Sequence, residues 1–143
     1  MQPEVDMCHR SDLYKILLYK GNFPRYLPPQ FLHDNNISYH KIYVEGHAVP
    51  NSKTVEQFID LVNKEREQSP DGIIAVHCTH GVNRTGYLIC RYLTDFMNMN
   101  PKDALREFEY ARGHPVEREN YIEDLLNSVC KLKVSNVEKN SSA

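Results

Sequence analysis

Apolar positions along this 143-residue chain fall into stretches with two different periods. Three are short. Lys15-Ile16-Leu17-Leu18-Tyr19 and Ile37-Ser38-Tyr39-His40-Lys41-Ile42-Tyr43-Val44 read as strands, the second with partial alternation. Gly72-Ile73-Ile74-Ala75-Val76 is apolar throughout and bounded by Pro70-Asp71-Gly72, which predicts a short buried strand. The others repeat at helical spacing. Positions 55, 58, 59 and 62 predict a helix from Ser52 to Glu67, capped by Asn51 or Ser52. Positions 88, 89, 92, 93 and 96 predict a second. Pro101 at a first helical position after Asn100 opens a third, with 104, 105, 108 and 111 apolar and Gly113 ending it. The last carries 121, 122, 125, 126, 129 and 132. Between the first two strands, Gly21 to Asn36 holds Pro24, Pro28 and Pro29 and predicts loop, with a turn of helix at Gln30-Phe31-Leu32. Strands alternating with helices predict an α/β class, without internal repeats. Ser135 to Ala143 is polar and unpatterned, and reads as a disordered tail.

The junction after the 72–76 strand carries the chemistry. His77-Cys78-Thr79-His80-Gly81-Val82-Asn83-Arg84-Thr85-Gly86 lies between a strand and a helix, so a helix N-terminus points at Cys78. A free thiol titrates near pH 8.5, and a helix N-terminus with neighbouring cations lowers that by several units. Cys78 is then a thiolate at neutral pH, the form that attacks phosphorus. Backbone N–H groups from Thr79 through Val82 and Asn83 to Arg84 can converge on phosphate oxygens, and Gly81 lets the loop approach closely. Arg84 offers a planar fork matching two oxygens. Thr85 places a hydroxyl near the thiolate. His80 and Asn83 have side chains that radiate towards the pocket rim.

Other readings of the same residues are weaker. A cysteine and an arginine six positions apart are common by chance, but not with this histidine, glycine and Thr-Gly between a strand and a helix. His77, Cys78 and His80 invite zinc, with His47 and Cys90 as extras, yet no paired Cys-x-x-Cys or His-x-x-x-His accompanies them. No Gly-Lys-Ser/Thr is present for a nucleotide loop of the Walker type.

His-Cys-x-x-Gly-x-x-Arg-Thr-Gly resembles the signature of the protein tyrosine phosphatase superfamily, dual-specificity type. The longer string through Leu93 is similar to the RNA 5′-triphosphatase branch. Two further segments agree: Tyr39 to Pro50, with its Gly46-His47-x-x-Pro50, and Arg112-Gly113-His114-Pro115-Val116-Glu117-Arg118-Glu119-Asn120-Tyr121-Ile122-Glu123-Asp124-Leu125. The resemblance runs from about residue 25 to residue 127. It implies a cysteine-phosphatase fold, a central mixed sheet flanked by helices, formed by a single catalytic domain over 1–133 with 134–143 as tail. It also implies that His77 orients the loop and lowers the thiol pKa. Arg118 would sit beside the phosphate loop and hold non-transferred phosphates; on residue chemistry alone it could equally be a surface arginine pairing with Glu117 or Asp124. Arg112 and His114 read as structural.

Composition adds bounds. A hydrophobic fraction of 41% with 25% charged residues suits one small globular domain. No apolar stretch approaches the ~18 residues that span a bilayer, nor does the N-terminus suggest secretion. The cysteines at 8, 78, 90 and 130 lack paired spacing, and reduced Cys78 implies a nuclear or cytoplasmic compartment. A net charge of −2 argues against a broad nucleic-acid surface, so RNA contact is confined to the phosphorylated end. A monomer without metal or other cofactor is expected.

Two departures from the superfamily pattern matter. Its protein phosphatases carry an aspartate general acid on the loop after the strand that ends near Val44, whereas this loop reads Glu45-Gly46-His47-Ala48-Val49-Pro50. Glu45 and His47 are fallback acids. A tyrosine leaving group has a pKa near 10, while a terminal phosphate ionises near pH 6, so phosphoanhydride cleavage best tolerates the missing acid. The second departure is at the N-terminus. Family members have an edge strand and hairpin before the strand placed at 15–19, and only fourteen residues precede it here, so the sheet edge is expected to be shortened. The expectation is a metal-independent RNA 5′-tri/diphosphatase acting through a cysteinyl-phosphate. The alternatives are a dual-specificity protein phosphatase acting on phosphoproteins and a non-catalytic phosphate-end binder.

Overall fold

The computed structural model describes residues 16–17, 34 and 36–128. Strand β1 (Ile16–Leu17) pairs in parallel with β2 (Ile74–Ala75), Ile16 opposite Ile74 and Leu17 opposite Ala75. A parallel pair needs a crossover, and helix α1 (Ser52–Gln68) lies within the connection. The rest of the 15–19 stretch, the Gln30-Phe31-Leu32 turn, the shortened edge, positions 129 and 132 and the polar tail lie outside the described residues.

Two strand expectations are corrected. The 72–76 stretch is not buried throughout: Ile74 and Val76 pack on the core, while Ile73 is 63% exposed. Side chains alternate across a strand, and among the described residues only one face of β2 meets the helices. Residues 37–44 form no strand. Ile42 and Val44 face the core and Tyr43 faces out, so the alternation survives. However, no described backbone pairs with this stretch, and a strand exists only through its ladder. Among the described residues the sheet consists of two parallel strands.

The helices follow their local signals. Asn51 caps α1, its Oδ1 accepting the Thr54 N–H at 2.9 Å, and Val55, Phe58 and Val62 are buried. Helix α2 (Asn83–Arg91) is buried on every side from Thr85 to Cys90, so it is the central helix of the domain. It runs on into a widened turn, Tyr92–Phe96, closed by Met97 N–H to Tyr92 O at 3.2 Å. The widened turn rotates the apolar stripe. Phe96, expected in the core, is 47% exposed and stacks on Tyr92 instead, centroids 5.2 Å apart. Tyr92 stays buried because its hydroxyl donates to Asn63 and accepts from Arg66.

Helix α3 (Pro101–Arg112) begins as predicted, with Asn100 Oδ1 accepting the Lys102 N–H at 3.0 Å. It ends at Gly113 with φ 70°, the left-handed conformation that glycine adopts without strain. The described part of helix α4, residues 119–128, buries Tyr121 and Leu125 fully, while Leu126 is 38% exposed against the apolar pattern. Tyr121 and Leu125, one turn apart, are the fully buried positions, with Ile122 packed beside them on the core. Tyr87 ties α4 to α2 by donating to Asp124 Oδ2 at 2.6 Å. Gly86 lets α2 approach its neighbours: a Cβ there would lie 2.6 Å from Val116 Cγ2 and 2.7 Å from Phe108 Cε1. The consequence of this packing is positional. The N-terminus of the best-buried helix is fixed, and the 77–82 loop leads straight into it.

Candidate active site

Gly81 turns the loop with φ 63°, and Val82 leads into α2 without any side-chain cap on the first helical N–H groups. Partial burial pushes the Cys78 thiol up, but hydrogen bonding outweighs it. The Thr85 hydroxyl and the backbone N–H groups of Thr85, His80 and Gly81 hold the thiol below its ordinary value. The Thr85 contact is looser than a full hydrogen bond, because Oγ1 is buried with no partner at bonding geometry. Cys90, on the same helix, shows the opposite case. Burial alone pushes it up to about 12, leaving an inert core thiol whose Sγ lies 3.6 Å from Ala104 O.

Around Cys78 the predicted residues divide by what they touch. Arg84 Nη2 donates to Thr79 Oγ1 at 2.8 Å and Nη1 to Val44 O at 3.3 Å, so the guanidinium is held between the loop and the 37–44 segment. His77, Thr79 and His80 are exposed, and Gly81 and Val82 are buried. Asn83 turns away from a rim position: its Oδ1 accepts the backbone N–H groups of Glu117 and Arg118 at 2.9 and 3.0 Å. That pair of bonds brings the distant Glu117-Arg118 element to the phosphate loop. Arg118 Nη1 in turn donates to His47 Nδ1, and Asn120 Nδ2 donates to His47 O at 2.9 Å. His47 itself sits at φ 70°, a conformation uncommon for a non-glycine residue. Glu45 is exposed.

Sequence reasoning undervalued Arg112. Its side chain is buried, 7% exposed, and donates from Nε to Gly81 O at 2.9 Å and from Nη2 to His80 O at 3.2 Å. With the His80 carbonyl held by Arg112, the Gly81 N–H of the same peptide unit faces Cys78. The available signal was its place one residue after Ala111 on the buried stripe of α3, where an arginine needs acceptors. His114 makes exposed contacts alone, Nδ1 lying 3.0 Å from Pro115 O and Nε2 3.5 Å from Glu117 Oε1.

Tyr121 completes the surroundings. Burial raises its phenol, the Arg118 and Arg84 charges lower it, and Cys78 raises it, so its hydroxyl lies within the field of all three. Among the described residues, no three His, Cys, Asp or Glu side chains come together as a metal cage. Nor is any described helix long and apolar enough to cross a membrane.

Residues 17–129 match the family model for the dual specificity phosphatase catalytic domain. The chain belongs to the dual-specificity phosphatases. Its curated relatives are larger. The RNA/RNP complex-1-interacting phosphatase of Bos taurus is 51% identical over 105 residues, covering 72% of this chain and 31% of the relative. The tyrosine-protein phosphatase of Autographa californica nuclear polyhedrosis virus is 49% identical over 88 residues, 62% of this chain and 52% of that protein. The mRNA-capping enzyme of Mus musculus is 35% identical over 112 residues, 78% of this chain and 19% of the enzyme. The chain thus spans about a third to a half of the first two relatives. Membership of this family makes the chain a cysteine-dependent phosphatase.

Proposed function

We propose that the chain is a metal-independent RNA 5′-tri/diphosphatase. The Cys78 thiolate attacks the γ-phosphorus of a 5′-triphosphate end, and the bond to the β–γ bridging oxygen breaks. Loop N–H groups and the Arg84 fork stabilise the charge on the transferring group, and Thr85 supports the sulfur as nucleophile and leaving group. Water then cleaves the phosphorus–sulfur bond, releasing orthophosphate and regenerating the thiolate. The diphosphate end can enter the same cycle and leave a monophosphate. Cys78 must stay reduced, which fits a nuclear or cytoplasmic setting.

The observation that carries this reading is Arg118. Asn83 pins its backbone beside the phosphate loop, and its guanidinium meets the loop that lacks an aspartate acid. A second cation suits a substrate with phosphates in series. A missing acid suits a leaving group that needs little protonation. The names of two relatives, an RNA/RNP complex-1-interacting phosphatase and an mRNA-capping enzyme, point the same way.

The deciding experiment compares phosphate release from triphosphorylated short RNA, diphosphorylated RNA and a phosphotyrosine peptide. The expected order places both RNA ends well ahead of the peptide, with activity retained in EDTA and blocked by vanadate. Activity that requires added Mg²⁺, or a peptide cleaved faster than RNA, overturns the proposal.

A further inference from the structure

Buried polar atoms almost always find a partner, so those that do not call for an explanation. Among the described residues, the buried side-chain atoms without one are Thr85 Oγ1, Arg112 Nη1, Arg118 Nε and Tyr121 OH. All four belong to side chains on or against the phosphate loop. Thr85 and Arg112 have their roles there already. Arg118 Nε and Tyr121 OH remain, and they are neighbours: the Arg118 guanidinium carbon lies 5.8 Å above the Tyr121 ring. Both can donate, and neither has an acceptor.

The tyrosine is held where it is by more than its hydroxyl. Its ring packs on Tyr87 at 5.2 Å between centroids, it is fully buried, and its N–H bonds to Arg118 O at 3.1 Å. Phenylalanine would make every one of these contacts. The hydroxyl is thus superfluous to the packing, yet it sits in a site whose chemistry requires donors to anionic oxygen.

We propose that Tyr121 is a substrate-binding residue whose O–H, together with the Nε–H of Arg118, binds the phosphate adjoining the one transferred to Cys78. The guanidinium covers the tyrosine while its head group rests on His47 Nδ1. Turning that head onto an anion uncovers the hydroxyl and presents two donors on one side. The field of Arg118, Arg84 and Cys78 at the hydroxyl supports this proximity. The inference rests on the polyphosphate reading and deepens it, since a phosphotyrosine peptide has no adjoining phosphate to offer.

Tyr121→Phe tests it. Binding of inorganic tripolyphosphate and of orthophosphate is measured by calorimetry on the non-turning Cys78→Ser chain, with and without Tyr121→Phe. One lost hydrogen bond to a charged acceptor predicts that tripolyphosphate binds about tenfold more weakly, with orthophosphate affected far less. The melting temperature of Tyr121→Phe should equal or exceed that of the parent, because a buried orphan hydroxyl is removed. Equal weakening of both anions, undiminished tripolyphosphate binding, or a clear drop in melting temperature overturns the proposal. The two readings fail separately. RNA triphosphate cleavage by wild type with tripolyphosphate binding unchanged in the variant sinks the tyrosine subsite alone. A tripolyphosphate-selective loss in a chain that leaves triphosphorylated RNA uncut sinks the RNA reading alone.

Discussion

Asn83 Oδ1 accepts the backbone N–H of Arg118 at 3.0 Å and joins the phosphate loop to a segment thirty-five residues further along the chain. Because Glu117 N–H shares that oxygen, one side chain fixes the position of a whole turn. Asn83→Ala should destabilise the domain by about 1–2 kcal/mol in urea denaturation and lower kcat/KM on triphosphorylated RNA by tenfold or so. Asn83→Asp keeps the acceptor, so it should recover most of the loss in stability. Equal losses in the two variants would show that the bond does not position Arg118.

Arg112 makes a stronger demand. Lysine keeps the charge but cannot bridge the His80 and Gly81 carbonyls in one plane. Arg112→Lys is expected to lose about 1.5–3 kcal/mol of stability and to lower kcat more than it raises KM. The loop would still bind phosphate but would no longer hold its N–H groups on the transferring group. Steady-state kinetics with a stability curve on the same sample check this, and an unchanged kcat refutes it.

The two described cysteines should react differently. Iodoacetamide near neutral pH is expected to label Cys78 and spare Cys90, whose thiol is pushed up to about 12 and is shut in the core. The pH midpoint of Cys78 labelling should lie below that of a free thiol and rise in Thr85→Val. Since folding favours the thiolate, its contribution to stability is present above the unfolded-state pKa and disappears as pH falls through the folded one. Peptide mass mapping across a pH series reads out the labelling. A Cys78 midpoint at or above the free-thiol value would contradict the geometry.

Gly86 offers a packing test. Adding one methyl drives it into Val116 and Phe108, both buried. Gly86→Ala should cost about 1–3 kcal/mol and displace the start of α2, reducing activity as well. Gly86→Ala combined with Val116→Ala should regain part of the loss in a double-mutant cycle. Strict additivity would rule out the clash.

Local chemistry was legible and distant partnership was not. Asn51, Asn100 and Gly113 mark helix ends because capping acts within three or four residues of the chain. The string from His77 to Gly86 is legible for the same reason: nucleophile, loop and helix start are contiguous. Arg112 reads as structural from the sequence, but its acceptors are not legible there, since they lie some thirty residues upstream. Asn83 looked like a rim residue, since nothing in its neighbourhood announces the N–H groups of 117 and 118. The widened turn at Tyr92–Phe96 leaves no mark in composition, and positions 92, 93 and 96 suit a regular helix equally well. Residues 37–44 carry strand chemistry, but the ladder that would complete it depends on another segment.

The brace from Arg112 also sets the order in which heat damages the protein. The residue stands on the last turn of α3, next to Gly113, while Cys78 draws part of its acidity from the loop N–H groups beside the brace. Helix ends open locally long before a domain unfolds. On warming, thiolate reactivity should therefore fade while the core around Ile89 and Leu125 is still protected from hydrogen exchange. The chain would lose its nucleophile first and its fold second.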